Sequence, residues 1–332
     1  MGKVIHSSGP LPASFPTRWK RTFARSRSKS VTGLWIFLFL LPFLLLFGAF
    51  TLWPLIATVA YSLFNWNGID ALTMQNFVGL GNYQELLHDP LFWQSFWNTV
   101  FFALANTVIK LPLSLLVAII LTRKWLRFTR FFRTIFFVPI ILPVALAGQI
   151  FTLLLNPSNG ALDSFLMGIG LIKQPIDLLG NENTALWAVV FISVWQIFGQ
   201  YMLYWMAALQ NVPEELYESA QIDRASAWQQ FTRITLPMIA PMAVVITLLG
   251  LINALQVFGV VVTTTSGGPG TSSYVLSYYI YEAAFQNIPF RYGYASAAAV
   301  LFVLLAAVFF VIQWWSGRGN TQTSSPMGGG RA

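Results

Sequence analysis

An all-α polytopic transmembrane bundle of six spans, with one helical hairpin on its cytoplasmic side, is the fold the sequence predicts, and three observations predict it. First, 56% of the 332 residues are apolar and only 9% are charged, against about 45–50% and about 25% in soluble domains. Second, six runs are long and apolar enough to cross a hydrocarbon core about 30 Å thick, which takes about 20 helical residues. Third, Lys and Arg collect on alternate sides of those runs, as the positive-inside rule requires. The chain has no Cys, which excludes disulfides and thiolate metal sites. Its net charge of +8 sits beside apolar runs, a distribution that orients a membrane protein rather than binding nucleic acid.

Taken in order, residues 1–32 form a basic segment around RWKRTFARSRSKS. The run that follows stays uncharged from 33 to 64, well beyond the apolar core of about 7–15 residues in a secretory signal, so it reads as an uncleaved anchor. Pro42 and Pro54 predict one kinked span there rather than two. Further spans at 96–122, 134–155, 184–209, 236–262 and 292–315 complete a transmembrane domain over 33–316. A Gly- and Ser-rich tail at 317–332 is expected to be flexible. Seven Lys and Arg precede the first span, five lie at 123–133, two at 210–236 and two in the tail, against Lys173 and Arg291 alone in the alternate loops. Both termini are therefore expected in the cytoplasm. The outward loops, such as NWNGIDALTMQNFVGLGNYQELLHDP, are long and rich in Trp, Tyr, Gly and Asn, which suits a face that meets another protein.

One island breaks the apolar pattern. Residues 211–237 hold Glu214, Glu215, Glu218, Asp223, Arg224 and Arg233 between two spans. Asn211 is placed to cap a helix whose first turn carries Pro213, Glu214 and Glu215. Leu216, Tyr217 and Ala220, then Trp228, Phe231 and Ile234, recur at helical spacing on either side of Asp223 and Arg224. Two short amphipathic helices joined by a turn are predicted, with Pro237 marking entry into the next span. Anionic lipid would repel the acids of this mixed polar face, so a protein partner fits it better than a headgroup layer.

Polar residues inside spans are costly and face a bundle interior or a water-filled path. Asn253 and Gln256 lie three apart beside Phe258, and amide and aromatic groups suit a sugar. Gln149, Gln196 and Tyr201 form a second set of candidates. Lys110 lies near mid-span, where an isolated ammonium costs at least about 2.5 kcal/mol, and no span offers a carboxylate. Its partner is expected elsewhere: a carboxylate or carbonyls of a second subunit, a water-filled groove, or an anionic solute. SGGPG at 266–270 reads as a rigid outward turn through Gly267, Gly268, Pro269 and Gly270. The absence of carboxylates from the spans argues against ion-gradient drive. His6 and His88, the only histidines, lie in loops and argue against His-based or metal catalysis. No GxxxxGK followed by Ser or Thr occurs, so no phosphate-cradling loop is expected.

The island ESAQIDRASAWQQFTRITLP resembles the coupling motif of binding-protein-dependent ABC importer permeases. Glu218, Ala220, Ile234, Leu236 and Pro237 match in spacing, Ser219 replaces an Ala, and Arg224 replaces the Gly. FVGLGNYQELLHDPLFWQSFWNTVFF, FRTIFFVPIILPVALAGQIFTLLLNPSNGALDSFL, ALQNVPEELYE and TTTSGGPGTSSYVLSYYIYEAAF are similar to segments of the carbohydrate-uptake branch, of maltose and glycerol-phosphate type. The resemblance implies a permease subunit in a bacterial or archaeal inner membrane, importing a sugar or sugar-like solute and binding no cofactor itself. It implies a second permease subunit, two ATP-binding subunits that hold the ATP and Mg, and an extracytoplasmic solute-binding protein as partners. It also implies that 211–236 is a coupling-helix hairpin, docking through Leu216, Tyr217, Glu218, Ala220, Asp223, Arg224, Trp228 and Phe231. The path would use Asn253, Gln256, Phe258, Gln149, Gln196, Tyr201 and Lys110, and residues 267–270 would face the binding protein. An anionic solute of glycerol-phosphate type is the alternative cargo, and an ion-driven secondary transporter the alternative class. Arg224 at the Gly position carries a cost on the order of 1 kcal/mol and puts the geometry of the turn in question.

Overall fold

The computed structural model describes residues 29–123 and 127–321. Most of the basic N-terminal segment and the last residues of the tail lie outside them. The chain divides into two units at Pro54 and Leu55, each described by itself.

In the first unit, α1 (Lys29–Phe47) passes through a π-helical turn (Gly48–Leu52) into α2 (Trp53–Tyr61), within which the boundary falls. Pro54 is the second residue after that turn. A proline has no N–H and its ring crowds the carbonyl four residues back, and the wider turn relieves both problems. The run Trp35–Tyr61 has the length and composition of one span.

In the second unit, a 3₁₀ turn (Met74–Asn76) and α3 (Gly81–His88) lead to α4 (Pro90–Thr122). Asp89 caps α4 by accepting from Leu91 N at 2.8 Å. Next come α5 (Thr129–Ile141) and α6 (Val144–Leu154), bent by 99° at the break between them. Leu142 at the break has ψ 130°, the extended conformation that a following proline imposes. The unbroken span expected at 134–155 is therefore interrupted at Leu142 and Pro143. After α7 (Ala161–Gly168), α8 (Ala185–Gln210) crosses to α9 (Glu214–Ile222) and α10 (Ala227–Gln230). A second π turn (Phe231–Thr235) joins α10 to α11 (Leu236–Leu255), again just before a proline, Pro237. The second hairpin helix is thus the beginning of the next span rather than a separate element. That span is itself interrupted at 256–258 before α12 (Gly259–Thr264). α13 (Leu276–Tyr281), a third π turn (Glu282–Gln286) and α14 (Tyr292–Thr321) finish the chain, α14 running past the span end expected at 315. Among the described residues, five helical runs are long and apolar enough to cross a membrane, or six where the bent α5–α6 pair counts as one span.

α4 and α8 run parallel. The Phe101 and Trp187 rings meet at 5.0 Å, and Asn106 Nδ2 donates to Ser193 Oγ at 3.2 Å. Farther along, Leu111 and Leu121 share a core with Met202, Trp205 and Ile239. A second core gathers Phe102, Ile192, Leu255, Val261 and Leu276 toward the other end. α5 approaches α8 so closely at Gly199 that a Cβ there would lie 2.0 Å from Phe136 O, the close backbone approach that small residues permit in membrane bundles.

Candidate functional site

The charged island folds as a hairpin whose turn follows a known helix-ending geometry. α9 starts after Pro213, with Glu214 and Glu215 in its first turn. Asn211 does not cap it. α8 continues to Gln210, so Asn211 takes φ −81°, ψ −5° at the end of that helix and donates to Ala207 O at 3.1 Å, whereas a capping residue needs extended backbone. α9 closes with Arg224 N to Gln221 O at 3.0 Å and Ala225 N to Ala220 O at 2.9 Å, the paired bonds of a Schellman end. Arg224 has φ 56°, so it occupies the left-handed position that the usual Gly fills, and the turn keeps its form. Ser226 and Gln229 then cap α10 reciprocally, at 2.8 and 3.3 Å. Tyr217 Oη, 2.8 Å from Thr235 Oγ1, ties α9 to the π turn below α11.

Leu216, Glu218, Asp223, Arg224 and Trp228 are exposed, while Tyr217, Ala220 and Phe231 are half-buried. The Trp228 and Phe231 rings lie 5.7 Å apart. Ile222, one turn after Glu218, is 83% exposed and Trp228 71%. The sequence reading omitted Ile222, although its i+4 spacing from Glu218 marks the same helix face.

The two broken spans meet around a cavity of about 380 Å³. α6 and α12 touch there with little room, since a Cβ on Gly148 would lie 1.9 Å from Thr263 Oγ1 and one on Gly259 would lie 2.6 Å from Val144 Cγ1. Breaks free backbone carbonyls, which inside a membrane need internal donors. Leu142 O accepts from Gln196 Nε2 at 3.1 Å, and Val257 O accepts from Ser277 Oγ. Gln196, Asn253, Gln256 and Phe258 all line the cavity, joined by Ser193, a residue too common in spans to be singled out from sequence. Asn253 and Gln256 (φ −82°, ψ 20°), expected three apart on one face, close the end of α11, and Phe258 (φ −145°, ψ −60°) stands beyond it, so the break itself brings them together. Asn253 and Gln256 are exposed, and Phe258 meets Tyr281 edge-on at 5.2 Å. Amides, a hydroxyl and an aromatic face can hold a polyhydroxylated solute. Discontinuous helices are also expected of ion-driven carriers, but no carboxylate lines this cavity.

The remaining path candidates fall elsewhere. Gln149 is exposed on α6 without lining the cavity. Lys110 is fully buried, with Nζ 3.4 Å from Gly250 O and 4.2 Å from the centroid of the Tyr201 ring. Tyr201, also buried, donates to Leu249 O at 3.1 Å. Within this chain Lys110 thus meets a carbonyl and a π face, gathered where α4, α8 and α11 cross. In the 266–270 turn, Ser266, Gly267 and Gly270 have φ of 48°, 83° and 56°. A Cβ on Gly267 would lie 2.5 Å from Tyr274 Cδ2, so this position requires glycine twice over. Ser273 Oγ donates to Gly268 O at 2.7 Å, and Asn98 Nδ2 reaches Thr271 O and Tyr274 O at 3.1 and 3.0 Å, fastening the turn to the start of α4.

A bundle of apolar spans, two of them broken around a polar cavity, with a presented hairpin at one end, defines a membrane permease. Residues 110–321 match the family described as binding-protein-dependent transport system inner membrane component, and the chain belongs to that family. It is 37% identical over 271 residues to the probable ABC transporter permease protein YurN of Bacillus subtilis, covering 81% of this chain and 92% of that one. It is 32% identical over 299 residues to the lactose transport system permease protein LacF of Rhizobium radiobacter, covering 90% and 98%. Among solved structures, a chain from a bacterial ABC transporter involved in the import of the acidic polysaccharide alginate superposes with a TM-score of 0.76 at 25% identity, covering 87% and 97%. The chain is thus a multi-pass inner-membrane component of an ABC importer that works with a solute-binding protein, a transport subunit rather than an enzyme.

Proposed function

We propose that this permease passes a sugar through the cavity between its broken spans. A second permease subunit completes the path, and separate ATP-hydrolysing subunits grip the 211–236 hairpin from the cytoplasm. The observation that carries the reading is the convergence of Ser193, Gln196, Asn253, Gln256 and Phe258 on one cavity without a carboxylate. LacF serves a lactose system, and the structural neighbour comes from a transporter involved in the import of the acidic polysaccharide alginate, both in keeping with a carbohydrate. An anionic cargo loses support because Lys110, its natural counter-ion, is buried away from the cavity.

The hairpin gives the mechanism a lever. α10, the π turn and α11 are continuous, so a displacement of the hairpin by a closing ATPase is carried along α11 to the break at Gln256. Alternating access follows as a change in which end of the cavity is open. The Lys and Arg distribution supports a cytoplasmic hairpin and cytoplasmic termini, an orientation in which the 267–270 turn faces the solute-binding protein.

The test is ATP-driven uptake in proteoliposomes holding both permeases, the ATPase and the binding protein. Asn253→Ala with Gln256→Ala removes two hydrogen bonds worth about 0.5–1.5 kcal/mol each, and apparent affinity for the solute should fall about 5- to 150-fold. Unchanged uptake would show that the solute takes another route.

A further inference from the structure

A larger cavity, of about 440 Å³, opens at the end opposite the hairpin, between α3, the start of α4, α13 with its π turn, and the start of α14. One wall is a hydrogen-bonded triad. Tyr279 Oη donates to Asp89 Oδ2 at 2.5 Å, Tyr294 Oη donates to the same oxygen at 3.1 Å, and the two phenol oxygens are 2.6 Å apart. Burial, then the bond to Asp89, holds the Tyr279 phenol well above its usual range, so it stays a donor. A second wall is the Arg291–Glu85 pair at 2.5 Å, with the guanidinium 4.0 Å over the Tyr294 ring. Among the described residues, no hydrogen bond or ion pair engages the Glu282 side chain, and the exposed Asn287 stands close by on the cavity lining.

The inventory of groups selects the ligand. An anion needs donors, a cation needs acceptors, and a sugar hydroxyl needs both. Here Arg291 and Asn287 donate and Glu282, Glu85 and Asn287 accept, while the largely buried Tyr274, Tyr279 and Tyr294 close the inner wall. Three carboxylates against one arginine repel an acidic sugar. The volume falls in the range of about 300–1,000 Å³ typical of small-molecule sites.

We propose that this cavity is a second carbohydrate site for neutral sugars, distinct from the cavity between the broken spans and positioned to receive solute before it enters the path. The inference rests on the reading of the cargo as a sugar. The sequence does not bring these residues together, because the groups that meet come from segments about 200 residues apart.

The test is equilibrium binding to the assembled transporter in nanodiscs, without binding protein, using glucose, galactose, lactose and maltose as neutral probes, galacturonate as the anionic probe and argininamide as the cationic one. Glu282→Gln with Asn287→Ala should weaken one class of neutral-sugar sites at least about tenfold while the other persists. Asn253→Ala with Gln256→Ala should do the reverse. Asn287→Ala alone serves if the double variant fails to assemble. Galacturonate should not compete at the outer site. Neutral binding abolished by the inner pair and untouched by the outer pair would overturn the outer site and leave the sugar reading standing. Argininamide binding lost on Glu282→Gln would make the cavity a cation site and overturn the proposal as well. No neutral sugar bound at either place would sink the sugar reading itself.

Discussion

Replacing Lys110 by Met separates three accounts of a buried ammonium. At mid-bilayer the charge costs about 2.5–3.5 kcal/mol on the insertion scale. Two contacts offset it within this chain. The Tyr201 ring, 4.2 Å from Nζ, contributes about 2 kcal/mol when desolvated. The Gly250 carbonyl, at 3.4 Å, is beyond the usual distance of about 2.9 Å and contributes less than about 1 kcal/mol. The sum lies close to zero. Met has similar length and no charge, so Lys110→Met should leave stability unchanged or raise it by about 1 kcal/mol, as replacing buried ions with apolar residues often does. Uptake should persist, because the side chain does not line the cavity. Thermal unfolding followed by intrinsic fluorescence in one detergent, with uptake measured in parallel, reads both outcomes. A loss above about 2 kcal/mol, or failed assembly with the second permease, would mean the ammonium has a stronger partner elsewhere. Lost uptake at unchanged stability would mean that Lys110 faces the solute.

Other predictions test separate parts of the structure. Gly199→Ala drives a Cβ into Phe136 O and should cost about 1–3 kcal/mol by overpacking, and an unshifted melting temperature would contradict the close α5–α8 crossing. Arg224→Gly should leave the protein about 1 kcal/mol more stable than Arg224→Ala, because only the first relieves the φ of 56°; equal stabilities would refute the left-handed turn. Glu218→Lys should cut uptake at least about tenfold while the complex still purifies intact, since the residue sits on the presented hairpin face rather than in a core. Normal pumping by that variant would remove the hairpin from the coupling mechanism.

The sequence made the hairpin legible because local rules govern it. Pro213, Glu214 and Glu215 start a helix, and the spacing of Glu218, Ala220 and Leu236 identifies the motif. It also flagged Arg224 at a glycine position, and the φ of 56° there shows that the side chain was accommodated without rebuilding the turn. The breaks were harder to see. Pro143 did signal one of them, through the extended backbone it forces on Leu142, but an apolar run on both sides hid it. The break at 256–258 has no proline, and it is held by packing on α6 and by Ser277, which lies about 20 residues away. Gln196 was read as a path residue, and it also bridges to the carbonyl freed at Leu142. The fate of Lys110 depended on where three helices cross, which no single-span pattern encodes. The Asp89–Tyr279–Tyr294 triad joins the start of α4 to the far end of the chain, and only tertiary packing reveals it.

The absence of Cys from this chain allows a direct test of the central claim, that the broken spans enclose the solute path and open alternately under the pull of the hairpin. A single Gln256→Cys would be introduced, and its modification by a membrane-impermeant thiol reagent timed from each side of sealed vesicles holding the full complex. The account predicts slower labelling when solute is bound, and reagent access that changes sides when ATP is trapped on the partner subunits. Labelling from one side only, at a rate indifferent to both solute and nucleotide, would contradict it.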